Sequence, residues 1–384
     1  MGVRSKLGIA CAAALLAAAL PGAAGAAGLP KHAAPIPAAT VALMAARDTT
    51  PAAPIVLRAY KQESEIEVWK RAGSGRYVLV KTFPICRWSG QLGPKTRAGD
   101  RQVPEGFYTV APRQMNPNSA YYLSFDVGYP NAYDRAHGGT GSALMVHGTC
   151  SSAGCFAMTD RQVGEIYALA REAFAGGQAA FAFQAYPFRM TALAMARHRT
   201  DPHIGFWRQL KEGSDRFEAT GREPLVSVAG GRYVFAPYPD AALEALAAAR
   251  RAEEEARIAT LVAQGREAVR TTYADGGQHA TFAALLRQGA SLGDVSRPEA
   301  LALAGRDVVV IPARRHPAPT QLAAAPAAAP AAALPVIETE PSLFSRAPLA
   351  EGPTRLTLAA SPEPGRPAFL AARLPAIRAV AALR

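Results

Sequence analysis

The chain has 384 residues and a formal charge of +12, and 49% of its residues are hydrophobic. Alanine alone contributes 85 residues, many of them in the terminal stretches MGVRSKLGIACAAALLAAALPGAAGAAG and QLAAAPAAAPAAALP, so the hydrophobic fraction overstates the core. Past residue 28 no stretch approaches the ~20 apolar residues of a membrane helix, which excludes a multi-pass membrane protein, and four cysteines exclude a disulfide-dense scaffold.

The first 27 residues have the layout of an export signal. Arg4 and Lys6 precede an apolar run from Leu7 to Leu20, and Pro21, Gly22 and small residues follow. Cleavage there removes Cys11 and two positive charges, leaving +10. An exported chain without a Lys/Arg stripe interleaved with aromatics is not expected to bind nucleic acid. Solvated surface, or weak attraction to an anionic cell envelope, accounts for the basic balance instead.

Residues 28–53 are Ala/Pro-rich and read as a linker. From Ile55 the segments IVLRAYK, SEIEVWK and RYVLVKTFPIC read as strands, with Gly73-Ser74-Gly75 as a hairpin turn. EGFYTVAP, YYLSFDVG and SALMVHG continue the strand pattern. At Thr159 the period becomes helical, with Thr159 and Gln162 placed as a capping box and an apolar face through Val163, Ile166, Leu169 and Ala170. AFAFQAYPF is a further strand, and 202–219 is a helix. A solvated amphipathic helix is expected from Asp240 to about Thr271. The expected organisation is a signal peptide (1–27), the linker, an α+β, β-rich domain (54–220), a mostly helical extension (221–311) and a disordered Ala/Pro-rich tail (312–384).

The chemistry concentrates between His137 and Cys155. A strand delivers His147 and Gly148, and a Ser/Gly-rich turn then delivers Cys155 ahead of a helix. Imidazole beside thiol is a nucleophile arrangement, and the amides near Gly154 and Cys155 are placed to hold an oxyanion. Two other readings compete. His137, His147, Cys150 and Cys155 are four zinc-ligand types in 19 residues, although without CxxC or HxxxH spacing. A catalytically silent binding module would keep Cys155 in a disulfide. Three cysteines outlast the signal; a Cys150–Cys155 or a Cys86–Cys150 bridge is open to them, and the second, which frees Cys155, is preferred.

His147-Gly148 followed by Ser152-Ala153-Gly154-Cys155 and Met158 resembles the signature of the YkuD-type L,D-transpeptidase domain. The strings GPKTRAGDRQVPEGFY, MNPNSAYYLSFDVGYPNAYDRAHG and LMVHGTCSSAGCFAMTD resemble the YafK-like subgroup of murein L,D-transpeptidase-related proteins. The resemblance implies a β-rich, sandwich-like fold, Cys155 as nucleophile and His147 as base. It also implies that Gly148 orients the imidazole through its backbone and that the Gly154 and Cys155 amides form the oxyanion hole. It implies cysteine acyl transfer on peptidoglycan in the Gram-negative periplasm, without metal or cofactor. The partner it suggests is a peptidoglycan-anchored outer-membrane lipoprotein. Ala153 and Ala157 occupy places where the family usually has His and Arg. Arg135 or Arg101 could then bind substrate in place of the lost Arg, with Ser152 and His137 as further candidates.

Overall fold

The computed structural model describes residues 29–292 and 305–314. The expected signal (1–27) and nearly all of the expected tail lie outside these residues. The chain divides into two units, 1–318 and 319–384, and every described residue belongs to the first.

β-branched and aromatic runs build the larger sheet: β1 (Ile55–Tyr60), β2 (Glu65–Arg71), β3 (Tyr77–Pro84) and β4 (Gly106–Val110). A smaller sheet takes β5 (Met115–Asn116), β6 (Ser124–Asp126), β7 (Met145–His147) and β8 (Phe156–Ala157). β9 (Phe181–Tyr186) returns to the first sheet, whose order is β3-β2-β1-β9-β4, with only β1 and β9 parallel. The second sheet runs β5-β6-β7-β8, with β7 and β8 parallel.

Phe125, Val146 and Phe156 align across β6, β7 and β8 and are wholly buried. They meet the first sheet: Phe125 lies 5.8 Å from Phe181 and Phe156 lies 5.4 Å from Phe183 between ring centroids. The domain is therefore α+β, with two sheets face to face around one aromatic core, as the sandwich-like expectation held.

The helices are α1 (Ala38–Ala45), α2 (Ala132–Ala136), α3 (Asp160–Ala175), α4 (Ala192–Arg197), α5 (Ile204–Thr220), α6 (Ala241–Ala263) and α7 (Ala280–Arg287). α3 starts at the anticipated box, with Thr159 N–H donating to Gln162 Oε1 at 3.2 Å and Gln162 N–H returning to Thr159 Oγ1 at 3.4 Å. Two ribbons complete the described fold, β10 (Leu225–Ala229) with β11 (Arg232–Ala236) and β12 (Ala268–Thr272) with β13 (Arg306–Ile311).

Two expectations need correction. The segment read as a linker contains α1, with Met44 fully buried and Ile36 nearly so. Thr40 donates to Glu165 of α3, which also takes Lys81 at 2.7 Å, and Arg171 holds the Ala34 carbonyl at 3.0 Å. The partners lie on α3 and β3, so Ala/Pro composition concealed a docked segment. The helix expected to reach Thr271 stops at Ala263, because Gly265 turns the chain (φ +77) and the β-branched AVRTT run pairs with β13.

Candidate active site

Strand alternation decides which side chains share the site. Since Phe125, Val146 and Phe156 face the core, their neighbours face the other way. Asp126 pairs with Met145 in one row, and Ser124, His147 and Ala157 form the next. Cys155 immediately precedes β8, and continuing the register one residue sets it opposite Met145, on the side of the ladder that His147 faces. The Met145 N–H donates to Cys155 Sγ at 3.4 Å and holds the thiol in that register.

His147 is 3% exposed, and its ring lies 4.7 Å from that of Tyr121. Nδ1 sits 2.5 Å from the Gly148 carbonyl oxygen. That oxygen can only accept, so Nδ1 carries the hydrogen and Nε2 of the neutral ring keeps its lone pair. Gly148 has no room for a side chain: a Cβ there would lie 2.4 Å from Asp160 Oδ1 and 2.9 Å from the Tyr121 carbonyl oxygen. The Gly148 N–H bonds that same Tyr121 oxygen at 3.0 Å. The Gly148 carbonyl therefore lies where it can hold the imidazole ring through the backbone.

Electrostatics keep both partners neutral at rest. Burial lowers the His147 pKa, and the Gly148 contact only partly opposes it. Burial raises the Cys155 thiol; the Met145 N–H and Lys95 pull it down, and Asp126 pushes it further up. The region thus presents a neutral thiol held at β7 and a neutral imidazole on the same strand.

The loop between β7 and β8 is held from several sides. Cys150 is bonded to Cys86, and Cys155 is a free thiol. This is the preferred pairing; it removes Cys150 as a zinc ligand and removes the premise of a silent module with Cys155 in a bridge. Thr149 N–H donates to Asp160 Oδ1 at 2.9 Å, tying the loop to the start of α3.

Several expected roles come out differently. Ser152, a candidate for substrate contact, is 2% exposed and turned inward, where its hydroxyl donates to the Cys155 carbonyl at 2.7 Å. The amides expected to form the oxyanion hole are engaged inside the loop: Gly154 N–H meets Ser89 Oγ at 2.7 Å and Cys155 N–H meets Ser152 Oγ at 3.2 Å. β8 also stands between Cys155 and α3, so the thiol does not sit at the helix entry itself. Arg135 donates to the Pro130 carbonyl beside its own helix. His137 ends α2 with its ring 4.1 Å from Tyr133, facing the Gly231 turn of the β10–β11 ribbon. Of these cations Arg101 has a contact to the nucleophile loop, from Nη2 to the Ser152 carbonyl at 3.1 Å. Sequence reasoning passed over Tyr121, Asp126, Ser89 and Asp275, which reach the site only through sheet register and long-range packing.

A free thiol held against the strand that carries a tautomer-fixed imidazole has the groups that cysteine acyl transfer requires. The comparisons agree in kind. The profile of the YkuD family, the L,D-transpeptidase catalytic domain, matches residues 56–175. YafK of Escherichia coli (strain K12), which is classed with the L,D-transpeptidases, is 45% identical over 181 residues, 47% of this chain and 73% of that protein. The protein of the same name from Escherichia coli O157:H7 matches to the same extent. The chain belongs to the L,D-transpeptidase family. Two solved structures also align. The helical cell shape determining protein Pgp2 of Campylobacter jejuni has 13% identity and a TM-score of 0.29 over 61% of this chain and 80% of its own. Bd1075 of Bdellovibrio bacteriovorus has 15% and 0.26 over 57% and 75%. Scores this low add nothing to the argument.

Proposed function

We propose that the protein is an exported cysteine enzyme that acts on peptidoglycan stem peptides at the diaminopimelate carbonyl. The observation that carries this is the free Cys155 thiol held by the Met145 N–H against the strand that bears His147, whose Nε2 is left unprotonated. His147 Nε2 takes the thiol proton, and Sγ adds to the amide carbonyl. The tetrahedral species collapses to a thioester as the proton passes to the leaving amine. The Cys155 N–H, held at 3.2 Å by Ser152 Oγ, is the donor a developing oxyanion competes for. Water then hydrolyses the thioester, whereas an amine acceptor forms a new amide.

Hydrolysis of a lipoprotein–peptidoglycan amide link is the favoured outcome, since Ala157 replaces the Arg expected to grip a substrate carboxylate. Export to the periplasm is part of the proposal. It is supported by the charged-then-apolar N-terminus and by the Cys86–Cys150 bond, which suits an oxidising compartment. Cell fractionation with and without residues 1–27 tests it.

The deciding experiment incubates the protein and its Cys155→Ala variant with lipoprotein-linked sacculi and analyses the products by mass spectrometry. Free lipoprotein and tripeptide stems, absent with Cys155→Ala, are expected. New diaminopimelate–diaminopimelate cross-links would instead identify a transpeptidase, and unchanged sacculi would reject both.

A further inference from the structure

Residues 273–279 lie outside the segment matched by the family profile, yet they are built into the support of the nucleophile loop. Trp88 and Gly277 form a backbone bridge with N···O 3.0 Å in both directions, and the Gly276 N–H meets the Gly90 carbonyl at 2.6 Å. The approach is too close for any side chain at Gly276, whose φ is +72 and whose added Cβ would lie 1.9 Å from the Trp88 carbonyl oxygen.

That contact delivers Asp275, only 4% exposed, beneath the loop. Its Oδ2 accepts from Arg101 Nη2 at 2.7 Å and from Nε at 3.2 Å, a two-pronged pairing. Its Oδ1 accepts from the Gly90 N–H at 3.2 Å, and the Arg87 guanidinium lies 3.4 Å away. The Nη2 of Arg101 that meets Asp275 also holds the Ser152 carbonyl. Ser152 is the hub of the turn: its hydroxyl meets Ser89 Oγ at 3.0 Å, the Cys155 carbonyl and the Cys155 N–H. A continuous set of contacts runs from Asp275 through Arg101 and Ser152 to Cys155.

We infer that Asp275 is a positioning residue for the nucleophile. It aims the Arg101 fork at the Ser152 carbonyl and so keeps the loop where Cys155 Sγ meets the Met145 N–H on the face of His147. The Arg101 side chain is 34% exposed, so without its carboxylate partner its long stem is free to turn to water and release the carbonyl. The inference rests on Cys155 being the nucleophile, as proposed above, and is independent of which acceptor the enzyme uses.

The test measures the rate of Cys155 alkylation by iodoacetamide against pH in the full chain, which requires no substrate. Asp275→Asn keeps the size and removes the charge. If Asp275 acts by placing the loop, the sulfur loses the N–H that favours its thiolate. The titration midpoint then rises, and the rate at pH 8 falls about tenfold. A purely electrostatic role predicts the opposite sign, because an uncompensated Arg101 cation near the thiol lowers the midpoint. Arg101→Gln is expected to reproduce the fall, and the double variant to add nothing to it.

A lowered or unchanged midpoint in folded Asp275→Asn, or additive losses in the double variant, would overturn the inference. Should circular dichroism show Asp275→Asn unfolded, Arg101→Lys decides, since it keeps the charge without the fork. A tenfold slower rate supports the inference, and a wild-type rate ends it. Normal alkylation with inert sacculi would instead count against the peptidoglycan reading alone.

Discussion

At the residue scale, the proposed reaction passes one proton between two neutral groups. In that reaction acidification removes activity when His147 takes a proton, and burial places that event below the usual imidazole range. The acid limb of kcat/KM, read from a pH–rate profile, is expected below the ordinary histidine value. His147→Gln should cost about 10²–10⁴-fold in kcat, as loss of a positioned base does. Asp126 pairs with Met145, whose N–H holds the thiol, and its charge opposes the thiolate. Asp126→Asn is therefore expected to lower the thiol midpoint and speed alkylation at fixed pH by up to about tenfold, the equivalent of ~1.4 kcal/mol. Slower alkylation would show that Asp126 supports the site rather than opposing it.

At the element scale, local signals were the legible ones. His147, Gly148 and Cys155 sit within nine residues, and the Thr159–Gln162 box announces α3 from its own spacing. Thr159→Ala should cost about 1 kcal/mol in denaturant unfolding, the usual worth of a helix cap. Illegible elements were those whose reason lies elsewhere in the chain. α1 is helical and docked because Thr40 and Met44 find α3, β3 and the core, and nothing in PAATVALMAAR states that. Ser152 was misread because its flanks advertise a site, whereas its hydroxyl is consumed in holding the turn. Asp275 could be found only through the Trp88–Gly277 bridge, between residues 189 positions apart in sequence.

At the scale of the whole molecule, distant segments converge on one loop. The Cys86–Cys150 bond closes 64 residues of chain and packs with Phe282 of α7. Replacing both cysteines by Ala is expected to cost about 2–4 kcal/mol in denaturant unfolding, because the unfolded chain regains loop freedom. Lys61 and Glu105 form a wholly buried ion pair at 2.9 Å, with Glu105 also accepting from Trp207 Nε1 at 2.8 Å. That pair fixes β1 against α5 and the loop before β4, and truncating Glu105 to Ala should cost about 3–5 kcal/mol by stranding the lysine.

Phe156 has one more consequence. It follows Cys155 directly and is wholly buried between the sheets. A slip of β8 by one residue would exchange the two, exposing an aromatic ring and burying the thiol against the core. Such a slip forfeits roughly 2–3 kcal/mol of aromatic burial before any chemistry is considered. Cys155 is therefore self-indexing: hydrophobic sorting rejects the misregistered form during folding, so the buried ring beside the thiol proofreads its placement.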